Sequence, residues 1–164
     1  MIVWGGPGRN GVGSVGGAAY DPVSDTWRTI ARAPIRLNQF DLVWTGEEVV
    51  AFGALLDRGN RSSSRRAIGA AYDPEGDTWR ELPPSRLVPN ATTASWLDGR
   101  LIAYDYGGRW QAYEPSANAW TAPQKMPLDA GECYPDSIAA GETVVAFYCG
   151  QILRFDPEQD RWQR

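Results

Sequence analysis

Four times along the chain an aromatic residue is followed by an acid and a proline, and a tryptophan stands seven residues after the aromatic. The units are Tyr20-Asp21-Pro22 with Trp27, Tyr72-Asp73-Pro74 with Trp79, Tyr113-Glu114-Pro115 with Trp120, and Phe155-Asp156-Pro157 with Trp162. Successive tryptophans are 52, 41 and 42 residues apart. Fixed internal spacing at a period of this size marks a chain built by repeating one supersecondary unit, each copy burying its apolar face against the next.

Each part of the unit has a mechanical reading. The Tyr or Phe ends a strand, and the acid accepts hydrogen bonds from the amides of the turn that follows. Proline fixes φ there and stops the ladder. Tryptophan begins the return strand, its ring large enough to cover a seam between neighbouring sheets. Upstream of each unit lies an apolar run with glycine at or near its end: Ile2-Val3-Trp4-Gly5-Gly6, Val49-Val50-Ala51-Phe52-Gly53, Leu101-Ile102-Ala103-Tyr104 and Val144-Val145-Ala146-Phe147-Tyr148. Before three of these runs, Gly46-Glu47, Asp98-Gly99 and Gly141-Glu142 separate two apolar stretches, as two-residue hairpin turns do. The unit is therefore four antiparallel strands, A to D, and four such strands every 40 to 50 residues or so make a propeller blade. The composition agrees: eight Trp, 18 Gly and 12 Pro suit short strands joined by turns.

A glycine doublet followed by Tyr-Asp-Pro and a spaced Trp resembles the kelch motif, as in galactose-oxidase-like propellers, and the resemblance covers essentially the whole chain. Repeat two has Gly53-Ala54 and repeat four Cys149-Gly150 in place of the doublet. Aspartate-box propellers match less well: Asp-Thr-Trp occurs at Asp25 and Asp77, but the other box residues do not line up. The resemblance implies an all-β kelch-type propeller segment of about four blades, with repeats near 1–34, 35–86, 87–128 and 129–164. The first blade is expected to lack its inner strand and the last to be truncated. The expectation is a piece of a longer propeller, with self-association through open blade edges as the alternative.

Composition narrows the function. The sequence has no His, which removes the commonest general base and metal ligand; neither a metal nor another cofactor is expected. A copper radical oxidase on this fold needs His ligands, so that activity fails for this segment, and no catalytic residue can be singled out. A net charge of −4 gives no electrostatic reason to expect nucleic acid. No apolar run is long enough to span a bilayer, and the start of the chain has no signal-peptide pattern. Lys125 is the sole lysine, and this arginine bias beside abundant Ala and Gly suggests a GC-rich bacterial genome.

The expected role is a non-catalytic scaffold for a protein or glycan ligand. The rival is a piece of an exported kelch enzyme, galactose-oxidase-like or a sugar-acid isomerase or mutarotase, whose catalytic residues lie elsewhere. Long B–C and D–A connections should share one face of the propeller, where ligands bind. Arg58, Arg61, Arg65 and Arg66 lie on one such loop, with Arg36 and Arg86 just before inner strands; guanidinium groups there suit carboxylate or phosphate, although a solvated loop and structural ion pairs explain them as well. Asn38, Asn90 and Asp136 are the polar neighbours. Extending the ladder from Ala140 opposite Thr143 puts Cys149 opposite Tyr134 and Cys133 one residue out of register. Either a bulge at Pro135 allows a disulfide, which would favour export, or the two thiols stay apart.

Overall fold

The computed structural model describes residues 1–6, 15–55, 66–88, 92–129, 133 and 136–164, without the side chains of Asn38 and Leu55. They form four antiparallel sheets in chain order. The first holds β1 (Ile2–Trp4), β2 (Gly17–Asp21) and β3 (Thr26–Thr29). The second holds β4 (Leu37–Trp44), β5 (Val49–Leu55), β6 (Ala67–Asp73) and β7 (Thr78–Glu81). The third holds β8 (Thr93–Leu97), β9 (Arg100–Tyr104), β10 (Arg109–Glu114) and β11 (Ala119–Trp120), with β12 (Gln124–Lys125) also paired to β10. The fourth holds β13 (Asp136–Ala140), β14 (Thr143–Tyr148), β15 (Gln151–Asp156) and the short β16 (Arg161–Gln163). Sheets two and four have four strands and sheet three has five, the first four of each in sequence order, and among the described residues the first sheet has no strand inside β1. The inner strands are neighbours, β4 against β8 and β8 against β13, as expected around a propeller axis.

The turns follow from the residues. Asp98 and Gly99 both have positive φ, 49° and 74°, between Leu97 and its partner Arg100, the requirement of a type I′ hairpin. Gly141 takes φ 62° between the paired Ala140 and Thr143. Around Gly46 and Glu47 the hairpin is closed by Thr45 N–H donating to Glu48 O at 3.0 Å, while the Thr45 hydroxyl accepts the amides of Glu47 and Glu48. The motif acids cap their turns: Asp21 accepts Val23 N–H at 2.9 Å, Asp73 accepts Glu75 N–H at 2.9 Å, and Asp156 accepts Glu158 N–H at 3.1 Å. Glu114 is the exception. Its side chain makes no cap bond, and a 3₁₀ turn at Pro115–Ala117 takes over.

A second polar residue completes the unit. Asp25, Asp77, Asn118 and Asp160, each two residues before the motif Trp, are left-handed with φ from 47° to 52°. From that position three of them accept the hydroxyl of the motif tyrosine: Tyr20 to Asp25 at 2.8 Å, Tyr72 to Asp77 at 2.6 Å and Tyr113 to Asn118 at 2.8 Å. Phe155 has no hydroxyl, and Asp160 instead pairs with Arg100 at 2.9 Å, tying the fourth sheet to the third.

Between sheets the motif tryptophans act as keys. Trp79 lies 5.5 Å from Trp4 and donates its indole N–H to Ala31 O at 2.8 Å. Trp120 lies 5.0 Å from Phe52 and donates to Pro83 O at 2.7 Å. Trp162 lies 5.4 Å from Tyr104, but its buried indole N–H has no acceptor among the described residues. The residue matching Ala31 and Pro83 would be Gln124, which β12 has drawn into pairing with β10. Three apolar clusters fill the three seams, centred on Trp4 and Tyr72, on Phe52 and Tyr113, and on Tyr104, Trp110 and Phe155.

Candidate functional site

The B–C connections run through residues 5–16, 56–66, 105–108 and 149–150. The expectation that all are long fails in the third sheet, where residues 105–108 alone intervene, and in the fourth, where Cys149 and Gly150, φ 50° and 74°, form a tight turn between the paired Tyr148 and Gln151. Cys149 is therefore a turn residue and not part of β14. It is joined by a disulfide to Cys133, with a Cα–Cα distance of 5.5 Å. The bridge ties the approach to β13 to this turn, and the bulge expected at Pro135 lies outside the described residues.

Arg58, Arg61, Arg65 and Asn90 lie outside the described residues. Arg66 is exposed before β6, and Arg86 is exposed with its backbone N–H donated to Gln111 at 2.7 Å. Arg36 is half-buried just ahead of β4, and Asn38 sits in β4 where the register with β5 breaks between Leu37 and Phe40. Asp136 opens β13, exposed, with its carbonyl oxygen accepting the Tyr104 hydroxyl.

Along the axis the inner strands present a polar wall. Ser137 Oγ lies 3.0 Å from Ser95 Oγ and 3.3 Å from Thr93 Oγ1, and Asp41 accepts Ala94 N–H at 2.8 Å. Burial pushes the Asp41 carboxyl above its usual value of 3.8, and Asp136 adds to the rise, against hydrogen bonds from Ala94 and Thr93. A raised folded value means the native state holds a proton that the unfolded chain has released. Native stability is therefore lost as pH rises from 3.8 through the folded value. Asp41→Asn keeps an oxygen for Ala94 and cannot ionise. Its stability relative to the parent should grow between about pH 3 and pH 7, read from paired thermal melts; a constant difference across that range would contradict the assignment.

A concavity lies elsewhere. A cleft of about 750 Å³ separates β1 from β4 and is lined by Met1, Ile2, Leu42, Trp44, Val49 and Arg28, with the Asp21-Pro22 turn and Pro74 at its rim. In sheets two to four an inner strand covers the edge of β5, β9 or β14; among the described residues β1 pairs with β2 alone. Leu42 and Trp44 are exposed toward the place where that strand would run. Arg28 is held at the rim by Tyr72 and Asp77, at 3.4 and 3.3 Å, and donates to Pro74 O at 3.0 Å. Asp77 is held below the ordinary carboxylate value by the Tyr72 hydroxyl, then the Ala31 N–H and Arg28. An unpaired strand edge beside an apolar trough accepts an extended chain as an added strand.

Leu42 and Trp44 were not among the candidate residues read from the sequence. The available signal was the apolar alternation Phe40, Leu42, Trp44, which places an aliphatic side chain at Leu42 where the matching inner-strand positions, Ala94 and Ser137, are small.

No protein-family model matches the chain. Individual proteins do. It is 29% identical over 156 residues, 87% of its length, to Kelch repeat and BTB domain-containing protein 13 of Homo sapiens. It is 25% identical over 163 residues, 84% of its length, to an F-box/kelch-repeat protein of Arabidopsis thaliana. A stretch of 99 residues, 54% of the chain and 15% of the relative, is 32% identical to Kelch repeat and BTB domain-containing protein 12 of Homo sapiens. The chain spans about a third of the length of the first two, 33% in each case. All three come from eukaryotes. Four keyed antiparallel sheets, the fourfold aromatic–acid–proline–tryptophan unit and these similarities together support a partial kelch-repeat propeller.

Proposed function

We propose that this chain is a non-catalytic scaffold that binds protein, taking an extended segment of its partner into the cleft between β1 and β4. The observation that carries the reading is the apolar trough of Leu42 and Trp44 beside the edge of β1 that is unpaired among the described residues. An aliphatic trough with a backbone edge suits alternating side chains of a polypeptide better than the hydroxyl-rich surface of a glycan. Relatives carrying kelch repeats with BTB or F-box domains support a scaffold role.

A capped peptide Thr-Val-Thr-Val-Thr tests it. Titrated into the labelled protein, it should shift the amide resonances of Ile2 and Val3 and the indole N–H of Trp44 saturably. Trp44→Ala should weaken binding about five- to thirtyfold, on the order of 1–2 kcal/mol for an exposed aromatic anchor. The same peptide N-methylated at every residue should not bind, because it has no N–H to give to a ladder on either edge. Absence of saturable shifts, or equal binding of the methylated peptide, would overturn the reading.

A further inference from the structure

The three seams between sheets share one construction. In each, the tryptophan of the outer strand lies on the aromatic that stands three residues beyond the partner of the preceding sheet's motif aromatic: Trp79 on Trp4, Trp120 on Phe52, Trp162 on Tyr104, at 5.5, 5.0 and 5.4 Å. The register fixes the next member of each series. Val145 pairs with Arg154, so Val144 stands opposite Phe155 and the fourth aromatic of the series is Phe147. The tryptophan still unused is Trp27, which among the described residues meets only the ring of Tyr20 in its own sheet.

Exposure marks both as unfinished. Trp27 is 55% exposed and Phe147 47%, whereas Phe52, the counterpart of Phe147 in the second sheet, is fully buried at 0%. Each sits in an apolar surround of matching kind. Phe147 pairs with Ile152, and Ile138 is exposed on the neighbouring strand; Met1 and Val3 are exposed in the first sheet. The positions equivalent to Met1 and Val3 in the second sheet, Val49 and Ala51, are buried in a completed seam.

We infer that these two faces are mates, and that Trp27 of one copy of this chain seats on Phe147 of a second, head to tail. The argument for a second copy as the occupant is that the molecule makes this contact three times within itself, with the same residue types in the same register. A burial that stabilises the internal seams operates equally between copies, since aromatic rings of this size carry most of the contact energy. The contact is heterologous, so copies close into a ring where the rotation allows and extend otherwise.

Sedimentation velocity on residues 1–164 from about 1 to 200 µM tests it. The expected result is a species heavier than the 18.1 kDa chain that grows with concentration. Phe147→Asp and Trp27→Ser should each return the protein to the monomer, with circular dichroism and melting little changed because both side chains are exposed. Ile138→Asp serves as a second variant on the Phe147 face should Phe147→Asp fold poorly. Mixing the Trp27→Ser and Phe147→Asp proteins leaves one intact pair of faces per two chains, so a dimer should reappear in the mixture alone. Trp44→Ala, which empties the peptide cleft, should leave association as it is and so separates this inference from the preceding one. A monomer at every concentration, or association that persists in both Trp27→Ser and Phe147→Asp, would overturn it.

Discussion

Replacing Gly53 with alanine should cost about 3 kcal/mol of stability or more, at the upper end of what overpacking does. Gly53 pairs with Phe40, where the β4–β5 ladder breaks register. A methyl group there would stand 2.0 Å from Gln39 O and 2.7 Å from Phe40 Cα. Both are backbone atoms, so no rotamer change relieves the clash and β4 itself has to move. β4 also carries Leu42, Trp44 and Asp41, so the displacement reaches the cleft and the axial wall together. Gly107→Ala is the control: its nearest contact is Asp105 Oδ1 at 3.3 Å, and its cost should stay below about 1 kcal/mol. Urea unfolding of the two variants against the parent decides the matter. A loss under 1 kcal/mol for Gly53→Ala would mean that the close approach of β4 and β5 is not a constraint.

Much of this fold is written locally, and what is local was legible. The Asp98-Gly99 hairpin, the caps at Asp21, Asp73 and Asp156 and the strand order follow from residues that act on their immediate neighbours. Other features needed information from a distance. Glu114 sits in the motif position of a cap but has one more methylene, and the backbone solved that turn with a 3₁₀ bend. The tyrosine–Asx bond was hidden because it depends on left-handed backbone at Asp25, Asp77 and Asn118, which spacing alone does not reveal. Cys149 and Gly150 read as the end of a strand because their counterparts elsewhere lead into longer loops; the tight turn they make shows only once Tyr148 is seen paired with Gln151. The candidate arginines were chosen for their chemistry on one face, whereas the cleft arises from strands of two different sheets, β1 and β4. Its lining depends on which inner strand is bulky and which edge is bare, and a repeat pattern averages that difference away.

The four motif tryptophans look interchangeable in the sequence, and the structure separates them. Trp27 and Trp120 each pack on the tyrosine of their own sheet, at 5.1 and 5.4 Å. Only Trp120 also lies on a ring of the preceding sheet, Phe52 at 5.0 Å, and donates its indole N–H to Pro83 O. Trp120→Ala should therefore remove cover from Phe52, open a void in the seam and leave the Pro83 carbonyl unpaired. The expected loss is about 3–4 kcal/mol, the range for truncating a large aromatic in a packed seam. Trp27→Ala removes the same side chain from an exposed position and should cost less than about 1 kcal/mol, provided both are measured at low micromolar concentration where copies are apart. The comparison isolates the key from the motif. Equal losses would mean that the tryptophan works through its own sheet, on Tyr20 and Tyr113 alike, and that the seams are held by the aliphatic clusters alone. A loss at Trp120 several times that at Trp27 means that these rings lock each sheet to the one before it, and that Trp27 keeps its surface for a contact outside its own sheet.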